Sequence, residues 1–400
     1  MANAFKKVEW ATDTNYAAGA DPWSGTATKV EPTSQTKTKG YVPEQPASAQ
    51  QTNWALATLA DTVNALGAIP ALNIGPPVTA ALAQLTKYNR YTREWIGISS
   101  NGNDKLVRTK NVFSWPTFTE ITPTNGIPTY DFDTDPATGN ILVVGDTLDK
   151  QWFYTESTNI WSLISGTIGN DPVRPALVWE PSAARWVYGS LRSGAANNDF
   201  AWSADGVTFT AVTKPAGWVA GTDVDVTLGS GDGKVVARAV NGSNLYTSVS
   251  TDGGSTWSAT VTTALGFTQY FGGPGIRKSS PVWTGVKWII STSDIDSTPR
   301  TKLWTSVDGA TWSVLADLTD VGITKVAFLT PALGLGVDGS TGELVYTTDG
   351  GTTWAWAGTD VGAGSTTEVS ASPVAFLLAD VGNGQVHPGL AVGPGLGAVG

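Results

Sequence analysis

The chain has 400 residues, among them 46 glycines and 18 tryptophans, and only 14% of its residues are charged. This composition predicts a β-rich protein with many tight turns and aromatic packing. The absence of cysteine excludes disulfides and cysteine-ligated zinc, and no cofactor is predicted. A formal net charge of −10 argues against nucleic acid or an anionic membrane surface as a partner, and no apolar run is long enough for membrane insertion.

Residues 1–75 differ in character from the rest of the chain. The polar stretch 26–38 is rich in Thr and Lys and predicts an extended arm with little core of its own. Good helix formers run from Pro46 to Leu66, and Gly67 follows as a C-cap, which predicts one short α-helix. Its apolar residues are spaced as one stripe, which favours docking on a larger body.

A Gly-x-x-Pro turn leads into this helix, which carries an Asn-Trp pair; the residues are Gly40, Pro43, Asn53 and Trp54. The pattern resembles the N-terminal attachment segment of tailed-bacteriophage appendage proteins. The resemblance implies a virion protein whose residues 1–75 bind other virion proteins at the tail or capsid. It also implies a homo-oligomer on the surface or tail of the virion.

The stretch 74–77, Ile-Gly-Pro-Pro, predicts a linker, and a repeat begins beyond it. One marker is an aromatic residue that recurs every 42 to 55 residues, at Trp115, Trp161, Phe209, Trp257, Trp312 and Trp354. The other marker is an upstream apolar strand that recurs every 45 to 53 residues, at Trp95, Ile141, Trp186, Val235, Trp288 and Leu335. Two markers in phase predict a mainly β fold, a single β-propeller over residues 76–400 with a Gly-rich tail.

The number of blades stays open between six and seven. The run 373–377 echoes the run 325–329 one period later, as the first strand of a further blade. No further aromatic marker follows it, so this last blade is expected to be incomplete.

Four of the aromatic residues end a Ser/Thr-x-Asp-Gly segment, and these segments are predicted to turn hairpins. They resemble the Asp box of sialidases and other β-propeller proteins, a turn-stabilising feature of the blade rim. The resemblance implies structural roles for Ser203, Asp205, Phe209, Ser250, Asp252, Trp257, Ser306, Asp308, Trp312, Thr347, Asp349 and Trp354. Two earlier segments, 109–115 and 155–161, keep the position and the aromatic residue but lack Asp-Gly.

No catalytic residues are predicted. Sialidases also need three arginines to clamp a carboxylate, and here Arg93, Arg185, Arg238 and Arg277 stand singly, so they are expected to be solvated. The only histidine, His387, lies near the Gly-rich tail, which disfavours a Ser-His-Asp triad. Alternating carboxylates at 131–135 and 294–296 could bind Ca²⁺, but polar turns explain them more simply, and no metal site is predicted.

Four tryptophans outside both series could be exposed and stack on sugar rings, or could pack in the core: Trp179, Trp218, Trp283 and Trp356. The sequence thus predicts a phage virion structural protein, such as a tail fibre, spike or decoration. Its propeller would be a non-catalytic module that binds host surface glycan. One alternative is a virion-associated, sialidase-like glycan-degrading enzyme, and another is a purely architectural subunit.

Overall fold

A computed structural model describes residues 78–79, 82–99, 106–109, 119–121, 131–145, 151–164, 175–190, 200–218, 226–267, 279–294, 299–339, 341–360, 368–371, 376–380 and 385–389. These residues belong to one compact unit, Ile74–Leu390. The predicted arm, the predicted helix and the attachment residues Gly40, Pro43, Asn53 and Trp54 lie outside the described residues, as do Trp115 and Arg277. The boundary at residue 75 stays a prediction.

All regular elements of the described residues are β-strands, 28 in number, and most have four to eight residues. In chain order they are β1 (Val78–Thr79), β2 (Leu82–Asn89), β3 (Glu94–Ser99), β4 (Leu106–Thr109), β5 (Thr119–Glu120), β6 (Asp131–Thr134), β7 (Ile141–Val144), β8 (Gln151–Thr155), β9 (Ile160–Leu163), β10 (Ala176–Glu180), β11 (Arg185–Gly189), β12 (Phe200–Ser203), β13 (Thr210–Val212), β14 (Thr227–Gly231), β15 (Lys234–Asn241), β16 (Asn244–Ser250), β17 (Val261–Ala264), β18 (Val282–Trp283), β19 (Trp288–Asp294), β20 (Arg300–Ser306), β21 (Ser313–Thr319), β22 (Ile323–Phe328), β23 (Gly334–Asp338), β24 (Glu343–Thr347), β25 (Ala355–Asp360), β26 (Glu368–Ala371), β27 (Phe376–Asp380) and β28 (Gln385–Gly389).

The described strands form seven four-stranded antiparallel sheets. Six of them use consecutive strands: sheet 1 (β2–β5), sheet 2 (β6–β9), sheet 3 (β10–β13), sheet 4 (β14–β17), sheet 5 (β18–β21) and sheet 6 (β22–β25). Sheet 7 contains β26, β27, β28 and β1 in that order. Among the described residues there is no helix whose length and apolarity would let it cross a lipid bilayer.

The first strands of the sheets contact one another in chain order, from β2 through β6, β10, β14, β18 and β22 to β26. The ring closes because β26 also contacts β2. In each sheet the first strand therefore lies nearest the common axis, and the fourth strand forms the outer rim. This arrangement is a β-propeller, and the predicted mainly β propeller is confirmed.

Sheet 7 is completed from the other end of the propeller. Strand β1 pairs antiparallel with β28, with Val78 opposite Val386 and Thr79 opposite Gln385. The expected incomplete last blade thus gains its fourth strand from residues that precede sheet 1. Phe376 begins the second strand of this sheet rather than its first, because β26 already occupies the first position.

The core lies between neighbouring sheets, and the predicted strand marker identifies its centre. All six marker residues, from Trp95 to Leu335, lie on second strands and are buried. Between sheets 5 and 6, for example, Ile289 and Leu303 pack against Ile323 and Val345. Full burial of one such aliphatic side chain stabilises the fold by about 1.5–3 kcal/mol. Each sheet is therefore held by its neighbours.

Candidate functional site

We use the name box turns for the four segments Ser203–Phe209, Ser250–Trp257, Ser306–Trp312 and Thr347–Trp354. Each box turn joins the third strand of its sheet to the fourth, in sheets 3, 4, 5 and 6 respectively. Successive antiparallel strands reverse direction, so the box turns lie at the same end of the sheets as the connections between first and second strands. We call this end of the propeller the box face.

The box turn of sheet 4 is closed by hydrogen bonds to one serine and one aspartate. The Ser250 hydroxyl donates to Asp252 Oδ1 at 2.8 Å and accepts from the Gly254 amide at 2.8 Å. Thr256 donates its amide to Asp252 Oδ1 at 2.9 Å and its hydroxyl to Oδ2 at 2.6 Å. Gly253 and Gly254 have positive φ values of 66° and 85°, which glycine adopts without strain. The carboxylate thus organises the turn.

The other three box turns repeat this pattern. In sheet 6, Asp349 accepts the hydroxyls of Thr347 and Thr353 at 2.8 and 2.6 Å. The shorter turns of sheets 3 and 5 have one glycine instead of two, and their carboxylates accept two consecutive backbone amides. Asp205 and Asp308 also accept the hydroxyl of the serine two residues earlier, at 2.9 and 2.8 Å.

These bonds lower the pKa of all four box carboxyls. For Asp308 the amide of Thr311 is the largest cause, and the pKa falls to about 2. For Asp349 partial burial acts to raise the pKa, but the hydrogen bonds from Thr353 and Thr347 outweigh it, and the pKa again falls to about 2. The pKa values of Asp205 and Asp252 are lowered in the same way against the effect of burial. The four carboxylates therefore serve as ionised turn anchors and are poor proton donors.

The aromatic residues that end the box turns are half-buried. The indoles of Trp312 and Trp354 donate to the carbonyls of Gly309 and Gly351, each at 3.0 Å, which ties the ring back to its own turn. Trp257 packs edge-on against Phe200 of the preceding sheet, with the ring centroids 5.1 Å apart. Phe209 packs with the core cluster that joins sheets 2 and 3.

One box turn is also bonded to the sheet before it. Arg185 at the start of β11 donates to the Asp252 carbonyl at 3.1 Å and to the Ser255 hydroxyl at 2.6 Å. Its guanidinium stacks on Trp202 at 3.9 Å. The expectation that the isolated arginines are solvated is therefore wrong for Arg185. It is wrong for Arg238 as well, which is buried and donates to the Ser279 carbonyl at 2.5 Å.

Near the axis, two carboxylates of β6 bridge three sheets. Asp131 and Asp133 accept the backbone amides of Leu177 and Trp179 on β10, at 2.9 and 2.8 Å. The Lys87 ammonium of β2 lies 3.5 and 3.6 Å from the two carboxylates. Burial raises the pKa of Asp133, and Lys87 and the amides only partly oppose this. The carboxylates cap amides on the inner edge of β10.

For the acidic run 131–135, the sequence allows either a Ca²⁺ site or a polar turn. Only Asp135 lies in a turn, where it accepts the amide of Ala137 at 2.8 Å and the hydroxyl of Thr138 at 2.5 Å. Within the part of the chain that the structure describes, no group of three or more His, Cys, Asp or Glu side chains could hold a metal ion. Asp296 lies outside that part.

An arginine, two glutamates and a tyrosine meet between sheets 1 and 2, and none of the four was predicted to form a site. Arg108 donates to both carboxylate oxygens of Glu156, at 2.9 and 3.1 Å, and lies 3.6 Å from Glu94. Burial and the nearby Glu156 raise the pKa of Tyr154, so its phenol is held protonated. A tyrosine nucleophile of the sialidase type needs a lowered pKa instead. We therefore interpret this cluster as a structural contact that holds sheets 1 and 2 together.

The four candidate glycan contacts divide by burial. For Trp218 the sequence left exposure and core packing open; in the structure it is buried, with only 4% of it accessible, and packs on Phe200. Trp179 and Trp283 are half-buried against the second-strand tryptophans of their own sheets, at centroid distances of 4.8 and 5.4 Å. Trp356 on the outer strand β25 is 45% exposed. The structure does not bring the four together as one site: their contacts lie in sheets 3, 5 and 6.

No family model matches the sequence, and no curated protein matches it. Among solved structures, the fold is similar to YCF48 from Cyanidioschyzon merolae, with a TM-score of 0.50 and 13% identity over 80% of this chain and 99% of that chain. It is also similar to YCF48 bound to D1 peptide, with a TM-score of 0.53 and 15% identity over 81% and 99% of the two chains. A third similar structure is virginiamycin B lyase from Staphylococcus aureus, with a TM-score of 0.51 and 11% identity over 80% and 97%. At such identities the likeness shows the propeller fold alone, and propellers with unrelated roles share it.

Proposed function

We propose that this chain is a structural protein of a tailed-phage virion, a tail fibre, spike or decoration. Residues 1–75 would attach it to other virion proteins, and the propeller would be a non-catalytic module that binds and displays. The attachment role is supported by the Gly40, Pro43, Asn53 and Trp54 pattern. The binding role is supported by Trp356, whose ring is exposed on the outer strand β25.

The observation that carries the non-catalytic role is the use of the box carboxylates. Glycoside hydrolysis needs a carboxylic acid of raised pKa beside a carboxylate nucleophile. The four box carboxyls have lowered pKa values because turn amides and hydroxyls bind their ionised form. Asp133 has a raised pKa, but its oxygens already accept the amides of Trp179 and Thr134. These groups support a rigid scaffold.

For host surface glycan, Trp356 is the strongest of the four candidates. An aromatic ring stacks on a sugar only where its face is open to solvent, and Trp356 is the most exposed of the four. It lies on the outer strand β25, two residues after Trp354, which packs at the interface between sheets 5 and 6. In this proposal the rim of the propeller, rather than its axis, contacts the glycan.

A glycan array probed with the purified chain tests the binding role. Glycans that bind the wild-type protein should no longer bind Trp356→Ala. They should still bind the control Trp218→Phe, which keeps an aromatic ring at a buried position.

A fluorogenic sialoside should not be hydrolysed between about pH 4 and pH 8, the range in which carboxylate pairs usually act. Turnover that co-purifies with the protein and disappears in Arg108→Met would favour the glycan-degrading enzyme instead. Mass spectrometry of purified virions tests the attachment role, which fails if the chain is absent.

A further inference from the structure

Strand β9 lies on the outer rim of sheet 2 and, among the described strands, pairs on one side only. Its sequence, Ile-Trp-Ser-Leu, has no charged residue and no proline. Ile160 and Leu163 are 57% and 53% exposed, among the most exposed apolar side chains of the described residues. Soluble proteins normally guard such edges with charges, proline or a covering element, because an open edge pairs with other strands.

The backbone of β9 offers hydrogen-bonding groups on its outer side. The amide of Ile164, directly after β9, donates to the carbonyl of Gln151 on β8 at 2.9 Å, so Ile164 and Gln151 form a hydrogen-bonded pair of the ladder. In an antiparallel ladder such pairs alternate, which directs the amides and carbonyls of Trp161 and Leu163 away from β8. Among the described strands, β9 pairs with β8 alone.

We propose that β9 pairs antiparallel with β9 of a second copy of this chain, edge to edge about a twofold axis. Each copy has a formal net charge of −10, so two copies repel wherever their charged surfaces meet. An uncharged strand is the kind of surface on which like copies can approach. A twofold interface also requires a patch that is complementary to itself, and β9 meets this requirement.

The register of the pairing follows from the outward groups. Trp161 lies opposite Leu163 of the second copy, and the reverse pair is equivalent, which gives four backbone hydrogen bonds and two apolar cross-strand contacts. Ser162 then lies opposite Ser162 of the second copy at a non-hydrogen-bonded position, where the Cα atoms are about 4.5 Å apart. Two strands of this length make a small contact, so the association is weak in isolation.

Three other outer strands fit this role less well. Strand β21 carries Asp317, which is bound to Arg300 at 2.7 Å, and pairing β21 with itself would bring two such carboxylates together. Strand β25 ends at Asp360. Strand β17 is uncharged, but its apolar residue Val261 is only 38% exposed.

The absence of cysteine makes a single-thiol test specific. In full-length Ser162→Cys, oxidation should give a disulfide-linked dimer, because the Cα separation at this position suits a disulfide. The matched control is Ser313→Cys, an exposed serine at the start of the outer strand β21. Circular dichroism checks that both variants are folded.

At about 10 µM protein, the Ser162→Cys dimer should form at least about tenfold faster than the control dimer, because pairing raises the local thiol concentration into the millimolar range. Adding Leu163→Lys should return the rate to that of the control, since it sets a charge opposite the apolar ring of Trp161 of the second copy. Equal rates for the two single-thiol variants would overturn the proposal. A fast rate that survives Leu163→Lys would overturn it too, because the dimer would then form through another surface.

Discussion

Replacing Asp349 with Asn should lower the stability of the propeller at neutral pH but leave it unchanged at low pH. Asp349 accepts the hydroxyls of Thr347 and Thr353 and the amide of Thr353. Asn keeps the shape and one acceptor oxygen but loses the charge that these donors stabilise. The pKa of Asp349 falls from 3.8 to about 2 in the folded protein.

The magnitude follows from that shift. A fall from 3.8 to about 2 corresponds to at most about 2.4 kcal/mol of differential stabilisation of the ionised form. Because the Asp349 side chain is exposed, solvent screening reduces this to on the order of 1 kcal/mol. The folded-state pKa lies below the unfolded value, so the stabilisation is fully present above about pH 4 and is lost as the pH falls through about 2.

Urea unfolding followed by tryptophan fluorescence, at several pH values from 6 down to 2, measures this difference. The unfolding free energies of wild type and Asp349→Asn should converge as the pH falls. Thr353→Val removes one donor and should reduce the pH dependence, whereas the matched control Thr353→Ser keeps the hydroxyl and should retain it. A stability gap between wild type and Asp349→Asn that stays constant from pH 6 to pH 2 would refute the anchor role of the carboxylate.

Three further outcomes are expected. Trp257→Ala should destabilise the fold by about 3 kcal/mol in urea unfolding, as a truncated aromatic in an interface between sheets; a loss below about 0.5 kcal/mol would contradict that packing. Gly254→Ala should destabilise it because φ is 85° and an added Cβ would lie 2.7 Å from Val187 Cγ1, and Val187→Ala should recover part of the loss. A chain that begins at Pro76 should fold alone, whereas one that begins at Leu82 should melt at a lower temperature, because it lacks β1. Equal melting temperatures of the two chains would show that β1 does not stabilise the fold.

The repeat made the fold predictable in outline. The apolar marker identified the second strand of six sheets, because a strand that neighbours cover on both faces needs large apolar residues in every repeat. The box turns were visible for a different reason. Their Ser/Thr, Asp and Gly residues interact with one another within seven or eight consecutive positions, so the sequence of that short segment is enough to predict the turn.

The contacts that join distant residues could not be predicted in this way. Nothing near Trp218 indicates that Phe200 will cover it, and nothing near Arg238 indicates that Ser279 will accept its guanidinium. Both contacts join residues that are distant in sequence, which only the tertiary packing of the strands and sheets brings together. For the same reason, exposure could not be read from the four candidate tryptophans, and only the structure distinguishes Trp356 from the rest.

The sequence by itself determined the repeated unit: its period, its buried second strand and its box turns, all of which depend on interactions within some fifty residues. Tertiary structure alone decided how the units close into a ring. Val78 and Thr79 complete sheet 7 beside Val386 and Gln385, and Asp131 and Asp133 cap the edge of β10 beside Lys87. A two-residue strand has no periodicity to detect, and a carboxylate does not reveal which distant amide it will meet.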